Sequence, residues 1–237
     1  MPIPSYTSPC IHYKKIAHEV YEFTLKKPEG FTFKAGQFIL FDFPLIEDEA
    51  NIQTRAFSIA SSPDEGHLLF LAKMLAGGRA SRWIEEKLKL GETLRFQGPF
   101  GNFVLKDGDQ TDLLFIATSS GIAPFRSQVL QVLKENPARS IDIIFGVHAE
   151  EDLFWVEDFR ALAIAHPSCR FHVILSQPSA SWRGRKGRVQ TLTPLIEKLS
   201  EKTVYICGNP DMTKELKKLA LEEWGIPKDR LHVEGYI

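Results

Sequence analysis

The stretch DLLFIATSSGIAPF, residues 112–125, decides the fold. The run from Leu113 to Ala117 is apolar without a break, as is typical of a strand that is buried on both faces of a sheet. A short turn follows, and Pro124 then stands where a helix can begin, because the fixed φ of proline suits the first helical turn. A buried strand that passes at once into a helix indicates a parallel α/β sheet.

The rest of the C-terminal half repeats this alternation of strand and helix. We predict four more strands, in SIDIIFGV, RFHVILS, TVYICG and LHVEGY. We predict helices that begin near Pro124, Glu157, Leu192 and Asp211. Helices that follow each strand cover both faces of a parallel sheet, and such sheets bind ligands outside the carboxyl ends of their strands. The C-terminal half is therefore a candidate nucleotide-binding domain.

The first hundred residues show a different pattern, in which short β-type runs alternate with Gly and Pro. The runs are CIHYKKIA, VYEFTLKK, FILFDF, HLLFLAKML and ETLRFQG. Short strands at this spacing predict an antiparallel barrel or sandwich. One helix is predicted in SRWIEEKLKL, with Ser81 as its N-cap and Gly91 as its stop. We place the domain boundary near Gly108, which divides the chain into residues 1–107 and 108–237.

Charge and composition exclude several classes of protein. Twenty-nine basic and thirty acidic residues leave a net charge of −1, which gives no general attraction for nucleic acid or an anionic membrane. No apolar run approaches the roughly 18 residues that cross a bilayer, and the N-terminus lacks a signal-peptide pattern. We expect a soluble, cytoplasmic protein without a membrane span.

The cysteines and histidines do not predict a metal centre. Cys10, Cys169 and Cys207 are odd in number and far apart, which argues against a disulfide framework and against a cysteine-rich zinc or iron–sulfur site. The seven histidines stand in no metal-binding motif. We expect reduced thiols and no bound metal.

Two turns are candidate anion sites. AGGRAS, residues 76–81, is a Gly-Gly turn into the helix capped by Ser81, so free amides would face outward there. Taken alone, an ordinary hairpin turn with a helix cap is the stronger explanation. SSGIAPF, residues 119–125, would also direct backbone amides at a ligand, although it is not the dinucleotide G-x-G-x-x-G fingerprint.

The segment YICGNPDM, residues 205–212, ends a buried strand with Cys207 and Gly208. A helix capped by Asn209 or Asp211 follows it. The cysteine is either a small core residue or, beside the amides of that helix, a polarisable neighbour for a ligand.

Two further segments lie near the C-terminus. HVEGYI, residues 232–237, places Glu234 and Tyr236 in what could simply be a last edge strand. RGRKGR, residues 183–188, is a basic cluster that could be a solvated loop or could bind a phosphate through one or two of its arginines.

The segment RAFSIAS, residues 55–61, combines a guanidinium, an aromatic ring and a hydroxyl. Strand alternation places Arg55 and Phe57 on one face and Ser58 on the other. A flat, anionic ligand could use this combination.

Taken in order, these segments resemble the ferredoxin-NADP reductase superfamily of flavoproteins over nearly the whole chain. AGQF at 35–38 resembles its early barrel signature, RAFSIAS its flavin motif, GGRAS its flavin pyrophosphate loop, and GPFG at 98–101 the turn that closes its flavin domain. SSGIAPFRS is similar to its nicotinamide-binding turn, CGNPDM to its Cys-Gly motif, and HVEGYI to its Glu-x-Tyr tail.

The resemblance implies a fold and an activity. The fold is a β barrel plus an α/β domain: an antiparallel FAD-binding barrel over 1–107 and a parallel-sheet NAD(P)-binding domain over 108–237. The activity is hydride transfer from NADH or NADPH to bound FAD, followed by single-electron transfer to a ferredoxin-like or other redox partner.

The resemblance also assigns roles to residues of the flavin motif. Arg55 would pair with the flavin pyrophosphate, Phe57 would pack against the isoalloxazine, and Ser58 would hydrogen-bond near its reactive nitrogen. Because alternation places Ser58 opposite Phe57, we predict a bend or bulge after Phe57.

At the nicotinamide, Cys207 and Glu234 would line the site, and Tyr236 would cover the flavin and yield to the nicotinamide. The implied catalytic residues are Ser58, Cys207 and Glu234. The implied cofactor-binding residues are Arg55, Phe57, Ser58, Lys73, Gly78, Arg79, Ala80, Ser81, Thr118, Ser120, Gly121, Pro124, His148, Ser176, Arg188, Cys207, Gly208, Met212 and Tyr236.

The chain departs from the family pattern in several places. Phe57 replaces the usual Tyr, and Thr118-Ser119 replace glycines before the nicotinamide turn. Of the positions that are basic in NADP-dependent bacterial relatives, His148, Gln177 and Arg188, only the last is reliably charged, which favours NADH. The pyrophosphate loop favours FAD over FMN.

Two alternatives remain open at this point. The Thr118-Ser119 substitution leaves room for a flavin-binding regulatory or assembly module without turnover. A free-flavin reductase would carry the same motifs but retain flavin weakly.

Overall fold

The structure, a computed structural model, describes residues 3–236. Contacts between Cα atoms divide the chain into two compact units. The first unit ends at Leu105 and also includes Arg126–Gln128, and the second comprises Lys106–Phe125 and the chain from Val129 onward. The boundary at Gly108 itself stays a prediction.

The first unit is an antiparallel barrel of six strands. The strands are β1 (Ser5–Ala17), β2 (Val20–Lys26), β3 (Phe38–Leu45), β4 (Asp48–Ser58), β5 (His67–Lys73) and β6 (Thr93–Phe100), in the order β4-β3-β6-β1-β2-β5. The segment after β4 is hydrogen-bonded to β5: Ala60 N–H donates to Leu69 O (2.8 Å). This bond links the two edges of the sheet and closes the barrel. Its helix is α1 (Arg79–Glu86).

Phenylalanine rings fill the interior of the barrel. Alternation along β3 turns Ile39, Phe41 and Phe43 inward, where each is fully buried. The Phe41 ring lies 5.0 Å from the Phe70 ring in an edge-to-face arrangement, and the Phe43 ring lies 5.5 Å from that of Trp83 on α1. Such aromatic pairs contribute about 0.5–1.5 kcal/mol each beyond the burial of their area. The pair of Phe43 and Trp83 holds α1 against β3.

The second unit is a parallel sheet with helices. The strands are β7 (Leu113–Thr118), β8 (Ile141–Val147), β9 (Cys169–Leu175), β10 (Arg185–Lys186), β11 (Thr203–Gly208) and β12 (Leu231–Gly235), and the helices are α2 (Ala123–Glu135), α3 (Val156–Ala165) and α4 (Pro210–Glu222). The strand order is β10-β9-β8-β7-β11-β12, and every pair is parallel. The chain reverses its direction of winding between β7 and β11, which is where sheets of this kind bind ligands. The predicted fold class, a β barrel plus an α/β domain, is confirmed.

Two helix predictions are wrong in detail. Ser81 lies inside α1, whose N-cap is Gly78, and the helix ends at Glu86 before it reaches Gly91. The segment near Leu192 forms a 3₁₀ helix, Val189–Leu195. An α-helix is disfavoured there because the ring of Pro194 would clash with the carbonyl four residues earlier.

The predicted bulge after Phe57 is also wrong. Phe57 pairs with Ile39 and Ser58 with Phe38 in unbroken register, and β4 then ends. Ile59 N–H continues the pairing by donating to Gln37 O (3.0 Å). Ser58 is therefore buried at the strand end, while Phe57 keeps the face that alternation gives it. Among residues 3–236, no helix combines the length and the apolar character that a membrane crossing requires.

Candidate functional site

The first four residues of RAFSIAS end strand β4 of the barrel, and the other three follow it. Phe57 is half-buried and its ring packs against those of Phe41 (5.4 Å) and Phe23 (5.9 Å). Core contacts on one side hold the ring as a rigid platform. Arg55 is exposed, and within residues 3–236 its Nη1 donates only to the neighbouring Thr54 O (2.9 Å). The guanidinium is thus available for an anion.

The AGGRAS turn is closed by its own hydrogen bonds. Gly78 N–H donates to Leu75 O (2.9 Å), and Leu75 N–H donates to Ser81 Oγ (2.9 Å). Gly77 takes a positive φ of 72°, which glycine adopts without strain. The Ser81 hydroxyl, predicted to bind cofactor, therefore braces the turn.

The first turn of α1 suits an anion. In the part of the chain that the structure describes, no side chain caps this turn, and the turn holds no acidic residue. The N–H groups of Arg79, Ala80 and Ser81 have no intrahelical acceptor, because they precede the first hydrogen-bonded position of the helix. Together with the helix dipole, they favour a phosphate.

Arg79, the first residue of α1, is held by β4. Its Nη1 donates to Asn51 Oδ1 (2.8 Å) and Asn51 O (3.3 Å). Within residues 3–236, neither Arg79 nor Arg55 has a carboxylate within 4.0 Å, whereas Arg82 pairs with Glu47 and Glu86. Two unneutralised guanidinium groups, an uncapped helix end and an aromatic platform fit the phosphates and ring of FAD.

Lys73, also predicted to bind cofactor, is the last residue of β5, and its side chain points toward the turn between β1 and β2. Its Nζ donates to His18 O (3.3 Å) and lies 3.2 Å from Glu19 Oε2. The structure does not bring it to the AGGRAS turn through any of these contacts.

In the second unit, two glycines bring the ends of β7 and β11 together. A Cβ on Gly121 would lie 2.4 Å from Cys207 O. Gly208 has φ 137°, and a Cβ there would lie 2.3 Å from Thr118 Oγ1. Only glycine fits at either position. The Thr118 hydroxyl, where the family pattern has glycine, accepts a hydrogen bond from Asn209 N–H (3.1 Å).

The two helices that follow these strands begin differently. A 3₁₀ turn, Ser119–Ile122, leads into α2, which has Pro124 in its first turn and no side-chain cap. At α4, Asn209 Oδ1 accepts from Asp211 N–H (2.9 Å) and Met212 N–H (3.2 Å). Asn209 is thus the cap, and the amide of Met212 is already bonded.

Cys207, Glu234 and Tyr236 meet where β11 and β12 end. Cys207 and Glu234 are register partners, and Tyr236 N–H donates to Gly208 O (2.9 Å). Burial, and then the charge of Glu234, raises the pKa of the Cys207 thiol, and burial raises the pKa of Glu234. Three residues predicted to line the nicotinamide site are therefore neighbours. Burial favours the protonated, neutral forms of the Cys207 thiol and the Glu234 carboxyl.

His148 and Ser176 follow β8 and β9 at the same edge of the sheet. His148 Nδ1 and Ser176 Oγ are 2.9 Å apart, so the structure brings these two predicted residues together. Arg188 stands apart from that pair, 75% exposed, with Nη1 3.9 Å from Glu215 Oε2 on α4. The sequence did not reveal two further residues beside the predicted sites, Glu215 and Asn51. Each reaches an arginine of a site, Arg188 or Arg79, only because the tertiary fold brings them together.

Two family models match the chain. They are an oxidoreductase FAD-binding domain over residues 10–105 and an oxidoreductase NAD-binding domain over residues 115–218.

Relatives and solved structures agree with these models. Ferredoxin–NADP reductase B of Sorangium cellulosum is 35% identical over 92% of this chain and 91% of its own length. The phenol 2-monooxygenase reductase component DmpP of a Pseudomonas species is 31% identical over 79% of this chain, which spans 53% of that protein. The structure of a ferredoxin NADP+ reductase from Neisseria gonorrhoeae with bound FAD and NADP superposes with a TM-score of 0.82, at 24% identity and 98% coverage of both chains. That of the Amycolatopsis cytochrome P450 reductase GcoB has a TM-score of 0.88 at 23% identity, covering 99% of this chain and 71% of that one.

Proposed function

Since the chain belongs to the ferredoxin reductase-type flavoprotein superfamily and is an NAD(P)H-dependent flavin oxidoreductase with FAD as its cofactor, we propose that its electron acceptor is a ferredoxin-like iron–sulfur protein. The observation that carries this proposal is the match to a ferredoxin–NADP reductase over 92% of this chain and 91% of the relative. Relatives that are reductase components of oxygenases also support a protein acceptor.

In the barrel, Arg55 and the first turn of α1 bind the phosphates, and Phe57 supports the ring. FAD, when bound, supplies the capacity to accept a hydride and to release electrons one at a time. A charge-assisted bond from Arg55 to a phosphate contributes about 1.5–3 kcal/mol. Ser58, buried at the end of β4, would hydrogen-bond the flavin ring.

In the second unit, the nicotinamide nucleotide binds where β7 and β11 end. Gly121 and Gly208 allow the backbone to approach closely there, and Cys207 and Glu234 line the site with groups shifted toward their neutral forms. Burial keeps the Cys207 thiol protonated, so the residue carries no charge. Cys207 therefore orients the nicotinamide ring by packing against it. His148 and Ser176 hold the adenosine end.

We propose NADH as the preferred donor. Of the three positions that tend to be basic in NADP-dependent bacterial relatives, Arg188 is the charged one here, and Glu215 Oε2 lies 3.9 Å from its Nη1. A carboxylate at that distance disfavours a further phosphate. The Sorangium relative carries NADP in its name, so parallel assays with both nucleotides decide the preference.

We also propose a cytoplasmic location. All three cysteines are free and buried, as suits a reducing compartment. Cell fractionation with an antibody to the chain tests this.

The acceptor is tested with the reduced holoenzyme. A purified ferredoxin of the [2Fe–2S] type should reoxidise the flavin at a rate that saturates with ferredoxin concentration and falls as salt is raised, because docking of charged partners is screened. A reoxidation rate no faster than with buffer alone would contradict the proposed acceptor. Free FMN, tested in the same way, identifies a free-flavin reductase if it replaces the protein acceptor.

A further inference from the structure

An open groove of about 620 Å³ lies in the second unit, beside the outer strands of the parallel sheet. Sites that take small molecules commonly have volumes between about 300 and 1,000 Å³. The groove lies between α3, β9 and the segment that leads into β10, and the residues that line it include Arg160, Phe171, Val173, Trp182, Arg183 and Arg185. These residues have no role in the flavin and nicotinamide sites proposed above.

The groove is separate from the carboxyl edge of the sheet, where the nicotinamide nucleotide is proposed to bind. Phe171 and Val173 belong to β9, whereas Ser176 follows the end of that strand. Their face of β9 is the one that α3 covers, because the Phe171 ring stacks on that of Phe159 at 5.1 Å. Ile174, on the opposite face, packs in the apolar cluster on the other side of the sheet. A ligand in the groove would therefore contact a face of the sheet.

Aromatic and aliphatic side chains form the apolar part of the groove. Phe171 is half-buried, so one side of its ring packs in the core and the rest is accessible. Trp182 is fixed in place, since its Nε1 donates to Arg185 O (3.0 Å) and its ring lies against the backbone of Gly184. A Cβ on Gly184 would lie 2.4 Å from Trp182 Cζ2. Two rings that are already held in place suit a flat, aromatic ligand.

The charged part of the groove is positive. Arg160 is paired with Glu157, whose Oε1 lies 2.7 Å from its Nη1. Arg183 and Arg185 are exposed, and between residues 3 and 236 neither has a carboxylate within 4.0 Å. The Arg183 guanidinium donates from Nη1 to Ala180 O over a long 3.4 Å. Guanidinium groups bind carboxylates and also stack on rings, so arginines without a counter-ion beside an aromatic surface favour an aromatic anion.

We propose that this groove is a binding site for a small aromatic carboxylate, distinct from the nicotinamide site. The ring of the ligand packs against Phe171 and the Trp182 indole, and its carboxylate accepts hydrogen bonds from Arg183. An uncharged aromatic compound lacks the second contact, and an inorganic anion lacks the first. The inference does not depend on which electron acceptor or which nicotinamide nucleotide the protein uses.

The test is equilibrium dialysis of the FAD-loaded protein against cinnamate and, separately, against cinnamamide, its uncharged analogue. We expect one saturable site for cinnamate and about tenfold weaker binding of cinnamamide, the loss that follows from one charge-assisted contact. Arg183→Gln should weaken cinnamate binding by about tenfold and leave cinnamamide binding unchanged. Trp182→Leu should weaken the binding of both compounds by about three- to tenfold, because both stack on the indole.

Lys186→Gln is the matched control. It removes the same charge from the same segment, at an exposed residue that does not line the groove, and should change cinnamate affinity by less than about twofold. Thermal unfolding of each variant shows that it is folded before affinities are compared.

Several results would overturn the inference. It fails if cinnamate shows no saturable binding up to about 1 mM, or if cinnamamide binds as tightly as cinnamate. It fails if Arg183→Gln leaves cinnamate affinity unchanged, or if Lys186→Gln weakens it to the same extent. Displacement of cinnamate by an equal concentration of inorganic phosphate would mean that the groove is a general anion site. Displacement by NAD+ would mean that cinnamate occupies the nicotinamide nucleotide site instead.

Discussion

Cys207 and Glu234 are paired residues of two adjacent parallel strands, β11 and β12, at the edge of the sheet where the nicotinamide nucleotide is proposed to bind. Both groups are shifted toward their protonated forms, chiefly by burial. A thiol and a carboxyl in this state can line a pyridine ring without adding a strong local charge. The raised pKa of Glu234 also makes the stability of the fold depend on pH.

Glu234→Gln should stabilise the protein at neutral pH but not in acid. Because the folded state holds the Glu234 proton more tightly than the unfolded chain does, stability falls as pH rises above the ordinary glutamate pKa of about 4.3. The amide has no proton to lose. We expect the Tm difference between variant and wild type to be near zero at about pH 4 and to grow as pH rises toward about 8.

Thermal unfolding at a series of pH values measures this difference. Glu223→Gln, at an exposed position on the same unit, is the control and should give a difference that does not grow with pH. If the Tm difference between Glu234→Gln and wild type is constant or shrinks as pH rises, burial does not set the pKa of this carboxyl.

Gly208→Ala should destabilise the second unit. A methyl group there would lie 2.3 Å from Thr118 Oγ1 and 2.7 Å from Thr118 O, at a φ of 137°. Overpacking of this kind lowers the free energy of unfolding by about 1–3 kcal/mol. Relief of the clash requires β7 and β11 to move apart, which would disturb the proposed nucleotide site. Denaturant unfolding and NADH titration should both report the loss.

Gly108→Ala is the matched control for that substitution. Gly108 also has a positive φ, 75°, but no atom lies within 4 Å of its would-be Cβ. It should show the backbone penalty alone and leave NADH affinity unchanged. Equal effects of the two substitutions would mean that the contact between β7 and β11 is not tight.

Arg55→Ala should weaken FAD binding by about tenfold or more, since a charge-assisted phosphate contact is worth about 1.5–3 kcal/mol. NADH affinity should not change, because the lost contact is to the flavin phosphate. Flavin occupancy after gel filtration and a fluorescence titration give the two values. Arg95→Ala is a suitable control, as Arg95 is an exposed barrel arginine whose Nε lies 3.4 Å from Asp42 Oδ2. Unchanged FAD affinity in Arg55→Ala would remove this residue from the site.

Asp142→Asn should be strongly destabilising at neutral pH. Asp142 is buried, accepts from Arg170 Nε (2.7 Å) and Nη2 (2.8 Å), and lies 3.1 Å from the buried Lys202 Nζ. Burial alone would raise the pKa of Asp142, but the bonds from Arg170 and the charge of Lys202 hold it well below its usual range. Removing one partner of a buried ion pair costs about 3–5 kcal/mol.

The effect of Asp142→Asn should shrink in acid. A lowered pKa contributes stability above the ordinary aspartate pKa of about 3.9, and that contribution is lost as pH falls toward the folded value. Denaturant unfolding at about pH 7 and about pH 3 compares the two conditions. Asp112→Asn removes a half-exposed carboxylate 3.7 Å from the same lysine and should cost less than about 1 kcal/mol. Similar losses in both variants would contradict this account of the cluster.

Most strands of the two units could be predicted from sequence because their burial patterns are local. Strand β7 is buried on both faces, so its sequence is an unbroken apolar run. Strand β3 is buried on one face, so buried and less buried residues alternate along it. Strand β4 is an exception: it is mostly exposed, and only its end, in RAFSIAS, was treated as a strand. The two-residue strand β10 was missed, since Arg185 and Lys186 carry no apolar signal.

The wrong predictions concern places where the local structure depends on a contact with a residue elsewhere in the chain. Ser81 looks like an N-cap, but its hydroxyl accepts from Leu75 N–H, so the helix begins earlier. The bulge after Phe57 was inferred from the roles of two side chains, whereas the pairing with β3 keeps β4 regular to its end. The bond from Arg79 to Asn51 spans 28 residues, and no spacing in the sequence predicts it.

The most direct test of the whole account is anaerobic stopped-flow mixing of the FAD-loaded protein with NADH and, in parallel, with NADPH. The account predicts that the visible absorption of the oxidised flavin is lost within the turnover time of the enzyme, faster with NADH. A protein that retains FAD, yet keeps this absorption with both nucleotides, would contradict it.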